Sequence, residues 1–112
     1  MRHDFPQFNL IAHIAEQRAW SNRTFGPMEH RGTDGVIDHL RKEIEEVAAS
    51  PDDLEEWIDV IMLAIDGALR SGNSPVQIAD MLGLKLEKNQ NREWPDWRTQ
   101  PAGKAIEHVN VS

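Results

Sequence analysis

A chain of 112 residues, 39% hydrophobic and 28% charged, has the length of one small domain and the composition of an ordinary globular protein. A formal charge of −7 and a pI near 5.1 argue against a nucleic-acid polymer as partner, since no basic stripe is present, yet allow a free nucleotide whose phosphates reach acidic side chains through a divalent cation. The absence of cysteine excludes disulfides, thiolate chemistry and cysteine-based zinc sites, and no apolar run is long enough to cross a membrane.

The opening stretch, Met1 to Pro6, lacks the apolar segment of a secretory signal, so the chain is expected to be cytoplasmic. From Asn9 to Trp20, Leu10, Ile11, Ile14 and Trp20 recur on one side, with Glu16, Gln17 and Arg18 elsewhere. The spacing predicts a helix with Asn9 as its N-cap. Ser21 to Pro27 reads as a loop closed by the Gly26-Pro27 breaker, and Gly32 to Gly35 prolong the interruption. A second helix is predicted from about Gly35 to Ala49 on the stripe Val36, Ile37, Leu40, Ile44 and Val47. Ser50-Pro51 opens a third, with Ser50 as cap and Pro51 in the first helical position, running to about Ser71 before Gly72. Its middle, Trp57 to Ile65, is apolar nearly all round, which predicts burial inside a bundle, with Trp57 and Trp20 in the core. Ser74 with Gln77 forms a capping box for a fourth helix, to about Asn91. The remainder is expected to be an ordered arm packed by Trp94 and Trp97, fraying at its end. Short connections between four helices predict a single all-α domain, a four-helix bundle with an irregular C-terminal arm, spanning residues 1–112.

The informative residues are carboxylates. Glu43 and Glu46 are three apart on the second helix, and Glu56 and Asp59 are three apart on the third. Residues so spaced share a face, and two helices joined by a short link pack antiparallel, so the pairs are expected to face each other. Asp59 stands in an apolar stretch, where a lone buried carboxylate is disfavoured unless it binds a cation. Four facing carboxylates are hard oxygen donors suited to Mg²⁺ or Mn²⁺. Asp66, two turns after Asp59, can extend that site or cap its edge. Glu45 and Glu55 read as solvated. No Glu-x-x-His motif of a di-iron bundle and no His-Glu-x-x-His of a zinc protease is present.

The sequence Lys42-Glu43-Ile44-Glu45-Glu46, a gap, then Glu56-Trp57-Ile58-Asp59 resembles the ExxE…ExxD motif of MazG-type pyrophosphohydrolases. The stretches AWSNRTFGP at Ala19 to Pro27, GVIDHLRKE at Gly35 to Glu43, DLEEWIDV at Asp53 to Val60 and KNQNREWPDWR at Lys88 to Arg98 are similar to the dATP/dGTP diphosphohydrolase branch, its MazZ-type phage enzymes above all. The resemblance covers about Phe8 to His108. It implies an all-α fold, two or three Mg²⁺ or Mn²⁺ ions per site, and hydrolysis of a purine deoxynucleoside triphosphate (dGTP first, dATP second) to monophosphate and pyrophosphate. It also implies a homodimer or homotetramer, in a bacterium or phage-infected cell, and metal ligation by Glu43, Glu46, Glu56 and Asp59. An activated water is expected to attack the α-phosphorus, with Glu46 or Glu43 taking its proton. Lys42 stands where many members carry a further Glu, and Asp66 is the candidate to replace it. Some MazZ-type relatives supply dGMP for 2-aminoadenine synthesis, a role this chain can share.

On the fourth helix Lys85, Lys88, Asn89 and Arg92 recur at helical spacing, either as a solvated basic end or as a cradle for triphosphate oxygens; the resemblance favours the cradle for Lys88, Asn89 and Arg92. Arg23, Phe25, His39 and Trp94 are further nucleotide-binding candidates, Phe25 or a tryptophan by stacking on the base. Two other readings stand beside this one: a pyrimidine dNTP pyrophosphohydrolase of the same fold, and a non-catalytic helical oligomerisation module.

Overall fold

In the computed structural model, which describes residues 7–110, α1 (Leu10–Phe25) starts at Asn9, whose side-chain oxygen accepts the Ala12 N–H at 2.9 Å. The expectations for the Met1–Pro6 start and for fraying at Val111 and Ser112 lie outside the described residues. Two sequence expectations about α1 are corrected. Its buried residues are Ile14, Gln17 and Ser21, while Ile11 and Trp20 are exposed. And the helix continues through Ser21–Phe25 instead of ending at Trp20. Both corrections have one cause: the face of α1 that packs is chosen by partners on another helix, which offers Gln17 a carbonyl and Ser21 a carboxylate. Gly26 ends α1 at φ +101°, where a side chain would be strained and a Cβ would stand 2.8 Å from Arg31 Cγ.

α2 (Thr33–Ala49) buries Val36, Glu43 and Val47, with Ile37 and Ile44 exposed. The α2–α3 link is a turn. Ser50 N–H donates to the Glu46 and Val47 carbonyls, Pro51 lies in the turn, and α3 (Leu54–Arg70) is capped by Asp53, which accepts the Glu55 N–H at 3.0 Å. The predicted Ser50 cap with Pro51 inside the helix is thus replaced by an aspartate cap, an equally good acceptor closer to the apolar run. α3 packs against both α2 and α1. At one crossing a Cβ on Gly67 would meet Val36 Cγ1 at 3.4 Å, ordinary close contact.

α3 is not buried all round. Its buried residues are Asp66, Leu69 and Arg70, whereas Trp57, Ile58 and Ile61 are exposed. Two neighbouring helices cover only part of a helix circumference, so Trp57, Ile58 and Ile61 remain exposed among the described residues. Trp57 is held at the rim by its indole N–H, which donates to the Pro51 carbonyl at 2.9 Å.

α4 (Pro75–Gln90) starts at the predicted capping box: Gln77 N–H donates to Ser74 Oγ at 3.1 Å and Ser74 N–H to Gln77 Oε1 at 2.8 Å. The chain divides into two compact units, Met1–Ala79 and Asp80–Ser112, with the boundary inside α4. In the second unit Trp94 donates its indole N–H to the Asn89 carbonyl at 2.7 Å and meets the His108 ring edge-on at 5.9 Å. Val109 N–H returns to the Glu93 carbonyl at 2.8 Å. Of the two tryptophans expected to pack the arm, Trp94 is the one that does so. Trp97, in the 3-10 turn Trp97–Thr99, is largely exposed beneath the Arg98 guanidinium. The described residues form four α-helices and no strand, and none of those helices is long and apolar enough to cross a membrane.

Candidate metal and nucleotide site

Glu43 is on the face that α2 turns inward and is only 4% exposed. One turn on, Glu46 reaches the same place from an exposed position, and Glu56 enters from the first turn of α3. One carboxylate oxygen from each lies within 4.8 Å of those of the other two. Glu43 Oε1 and Glu56 Oε2 are buried and have no hydrogen-bond partner. Three carboxylates at this spacing repel one another unless a positive charge stands among them. The Glu43 carboxyl is accordingly pushed up to about 8: the facing Glu56 carboxyl and then that of Glu46 favour its protonated form, with burial and repulsion adding. A proton is the stand-in for what this donor set suits better, a divalent cation with a preference for hard oxygen ligands. Among the described residues Glu43, Glu46 and Glu56 fit such an ion, with two orphaned oxygens to offer it.

Asp59 is the departure from expectation. It is exposed and stands outside that three-residue group, because the apolar residues around it on α3 are themselves uncovered. It does line a cavity together with Glu43. Glu45 and Glu55 are exposed.

Asp66 neither extends nor caps the acid cluster. Ser21 Oγ donates to its Oδ1 at 2.7 Å and Arg70 Nε to its Oδ2 at 3.0 Å. The Arg70 guanidinium also donates to the carbonyls of Gly26, at 3.1 Å, and Arg31, at 2.7 Å, and to Ser21 Oγ at 2.8 Å. This network ties the end of α1 and the loop after it to α3. Asp66 therefore does not replace the acid that Lys42 displaces; Lys42 itself is exposed and pairs with Asp38 at 3.5 Å.

Two cavities adjoin these groups. One of about 400 Å³ is lined by Phe25, Arg31, Val36, His39, Lys42 and Arg70 among others. The other, about 170 Å³, is lined by Gln17, Trp20, Phe25, His39, Glu43 and Asp59 among others. Phe25 and Trp20 meet edge to face at 5.3 Å. The sequence candidates Phe25 and His39 thus border both cavities, while Arg23, exposed on the last turn of α1, borders neither. Sequence reasoning missed Gln17 and Arg70. Neither sits in a local motif, and each acquires its role from residues some forty positions away.

In the second unit, Lys85, Lys88 and Arg92 form a cationic group. Arg92 holds the Lys85 ammonium below the usual lysine value, with desolvation and then Lys88 contributing. Arg92 also donates to Asn89 Oδ1 at 3.0 Å, and the Asn89 carbonyl accepts from Trp94. Four of the sequence candidates, Asn89, Arg92, Trp94 and Lys85, are therefore gathered locally.

A family model described as dATP/dGTP pyrophosphohydrolase matches residues 13–111. The Eaa protein of Salmonella phage P22 is 41% identical over 81 residues, covering 72% of this chain and 25% of that protein. The chain thus spans about a quarter of the length of this curated relative. Among solved structures, the cyanophage S-2L MazG-like pyrophosphohydrolase bound to dGDP and three catalytic Mn²⁺ ions per active site is similar, with a TM-score of 0.68 and 29% identity over 93% of this chain and 97% of that one.

Proposed function

The chain belongs to the dATP/dGTP pyrophosphohydrolase family of nucleoside triphosphate pyrophosphohydrolases, and from that premise we propose that it hydrolyses a purine deoxynucleoside triphosphate, dGTP before dATP, to the monophosphate and pyrophosphate. The observation that carries the reading is the trio Glu43, Glu46 and Glu56 with its two unpartnered oxygens. The dGDP and Mn²⁺ ions of the cyanophage neighbour support the choice of nucleotide and cation.

Glu43, Glu46 and Glu56 would hold Mg²⁺ or Mn²⁺, and Asp59, on the wall of the cavity that Glu43 also lines, would complete the ligand set. When bound, these ions neutralise triphosphate charge and acidify water. Glu46, exposed and so open to solvent, takes the proton as water oxygen bonds to the α-phosphorus and the bridging oxygen leaves with pyrophosphate. Lys85, Lys88 and Arg92 with Asn89 hold phosphate oxygens, Arg92 as a bidentate donor. His39, Phe25 and Trp94 are assigned to sugar and base, and Arg23 to phosphate at the mouth of the site. Both compact units serve one domain in this reading, because the family match runs unbroken across them. A dNTP substrate is in keeping with the cytoplasm of a bacterium or phage-infected cell, and dGMP released from dGTP would be available for 2-aminoadenine synthesis where the genome encodes that pathway.

We also propose a homodimer or homotetramer. Trp57, Ile58 and Ile61 on α3 are exposed, as are Met81, Leu82, Leu84 and Leu86 on α4, and uncovered apolar side chains of this kind are what a second copy would bury. Light scattering that returns a monomer mass at micromolar concentration removes this part.

The test of activity is release of monophosphate and pyrophosphate from each of the four dNTPs with Mn²⁺, with Mg²⁺ and with chelator. Metal-dependent release of dGMP or dAMP is expected. Release from a pyrimidine alone overturns the substrate, and no release under any condition favours a non-catalytic helical module.

A further inference from the structure

Gln17 is 5% exposed, on the stripe that α1 turns toward α3. Its carboxamide nitrogen donates to the Met62 carbonyl at 2.8 Å. A carbonyl accepts only from the NH₂ end of an amide, so this bond fixes which end is oxygen. That oxygen, Gln17 Oε1, is buried and has no partner. Leaving a buried acceptor unsatisfied is destabilising, so it persists where something else relies on it. Gln17 lines the 170 Å³ cavity that Glu43, Trp20 and Phe25 also border. Pockets for whole drug-sized ligands run to roughly 300–1,000 Å³. This one is smaller and suits a single heterocycle, with sugar and phosphates outside it. Aromatic walls around a fixed hydrogen-bonding group are the usual means of reading an unstacked base.

Resting on the nucleotide reading above, we propose that Gln17 is a specificity-determining residue: its oxygen accepts a hydrogen bond from the Watson–Crick edge of the purine. Guanine presents two adjacent donors there, the ring N1–H and the 2-amino group. Adenine presents one, its 6-amino group, so the locked acceptor favours guanine. Asp66, on the same cavity wall, has both oxygens already engaged by Ser21 and Arg70. Glu43 and Asp59 are committed to cations in that reading.

The experiment is a ladder of substrates on the intact wild-type protein: dGTP with both donors, the deoxyinosine triphosphate with N1–H alone, the 2-aminopurine analogue with the amine alone, and the unsubstituted purine analogue with neither. kcat/KM is expected to fall down the ladder, by about tenfold or more for the donorless analogue. Gln17→Met, of similar size, is expected to level the ladder while a circular dichroism melt verifies its fold. Wild-type protein that turns over the donorless analogue as fast as dGTP overturns the proposal, as does folded Gln17→Met that keeps the ladder. Either result leaves dNTP hydrolysis standing. If no triphosphate is hydrolysed, the activity reading fails on its own, and calorimetry with the four corresponding monophosphates decides Gln17: a graded affinity sustains its role, and equal or absent binding ends it.

Discussion

At Asp66, α3 carries a carboxylate whose two oxygens both have partners, Ser21 and Arg70. At Glu56, ten residues earlier on the same helix, it carries one with a buried oxygen that has none, set against the equally orphaned Glu43. Both places bury charge, and burial of charge is tolerated only with compensation. The Asp66 group is compensated from within the chain, by a guanidinium that also gathers the Gly26 and Arg31 carbonyls. The Glu43 group has no such cation among the described residues; its carboxyl is pushed up to about 8, and in the proposed function a divalent cation would supply the compensation. A closed network is architecture. An open one of like charge is where a ligand is expected.

The largest effect that separates the two is catalytic. Glu46→Gln keeps the size and exposure of the side chain and removes its basicity. Turnover is expected to fall by about a hundredfold or more, with the melting curve of the chelated protein unchanged. Wild-type turnover by this variant removes the base assignment from Glu46.

Next comes the closed network. Arg70→Met leaves the Asp66 carboxylate buried and unpaired, a loss of about 3–5 kcal/mol in folding stability. Adding Asp66→Asn should recover part of it, since the charge is then gone from both partners. Denaturant unfolding of the two single variants and the double variant measures the coupling. A coupling near zero would mean that Arg70 acts through its carbonyl contacts alone.

A third effect reads the open group directly. The Glu43 carboxyl is raised from its ordinary 4.5 to about 8. Between those values the folded, cation-free protein holds a proton that the unfolded chain has released. Its stability is therefore expected to fall as pH rises from 4.5 toward 8 and to level off above. Cation binding expels that proton, so apparent Mn²⁺ affinity should rise over the same window. Melting with chelator from pH 5 to pH 9, and again with Mn²⁺, is the measurement, and the Glu43→Gln variant should lose the slope.

The open site was more legible in sequence than the closed one. Glu43, Glu46 and Glu56 announce themselves by three-residue spacing on two helices joined by a short link, and local geometry is enough to bring them together. The caps at Asn9 and at Ser74 with Gln77 were readable for the same reason. The burial expected of Asp59 is absent; the expectation assumed that its apolar neighbours are covered, and coverage depends on how many elements surround α3. The sequence pattern places Gln17 off the packing face and Ser21 in a loop, since the stripe Leu10, Ile11, Ile14 and Trp20 looks like the packing face; of that stripe only Ile14 is buried. What turns the helix is a polar match to Met62 and Asp66, each forty-five residues on, and no local periodicity carries that.

The smallest effect concerns a third pair of charges, Lys42 and Asp38, which are i,i+4 neighbours on α2 at 3.5 Å with both side chains largely exposed. It shares the i,i+4 spacing of Asp66 with Arg70, but it has a lysine in place of the arginine, stands in solvent and lacks the Ser21, Gly26 and Arg31 contacts of the buried pair. Water screens the exposed pair and competes for each partner, so a double-mutant cycle on Asp38→Ala and Lys42→Ala should give a coupling of about 0.3–0.5 kcal/mol, shrinking further in 1 M salt. Lys42 borders the larger cavity and stands next to Glu43 in sequence, so its removal also tests whether a cation there assists the nucleotide. A raised KM with unchanged stability would assign it to substrate binding. Unchanged kinetics would leave it as a solvated end of α2. A coupling as large as that of the buried pair would break the distinction drawn here, because burial would then not be what sets the strength of these pairs.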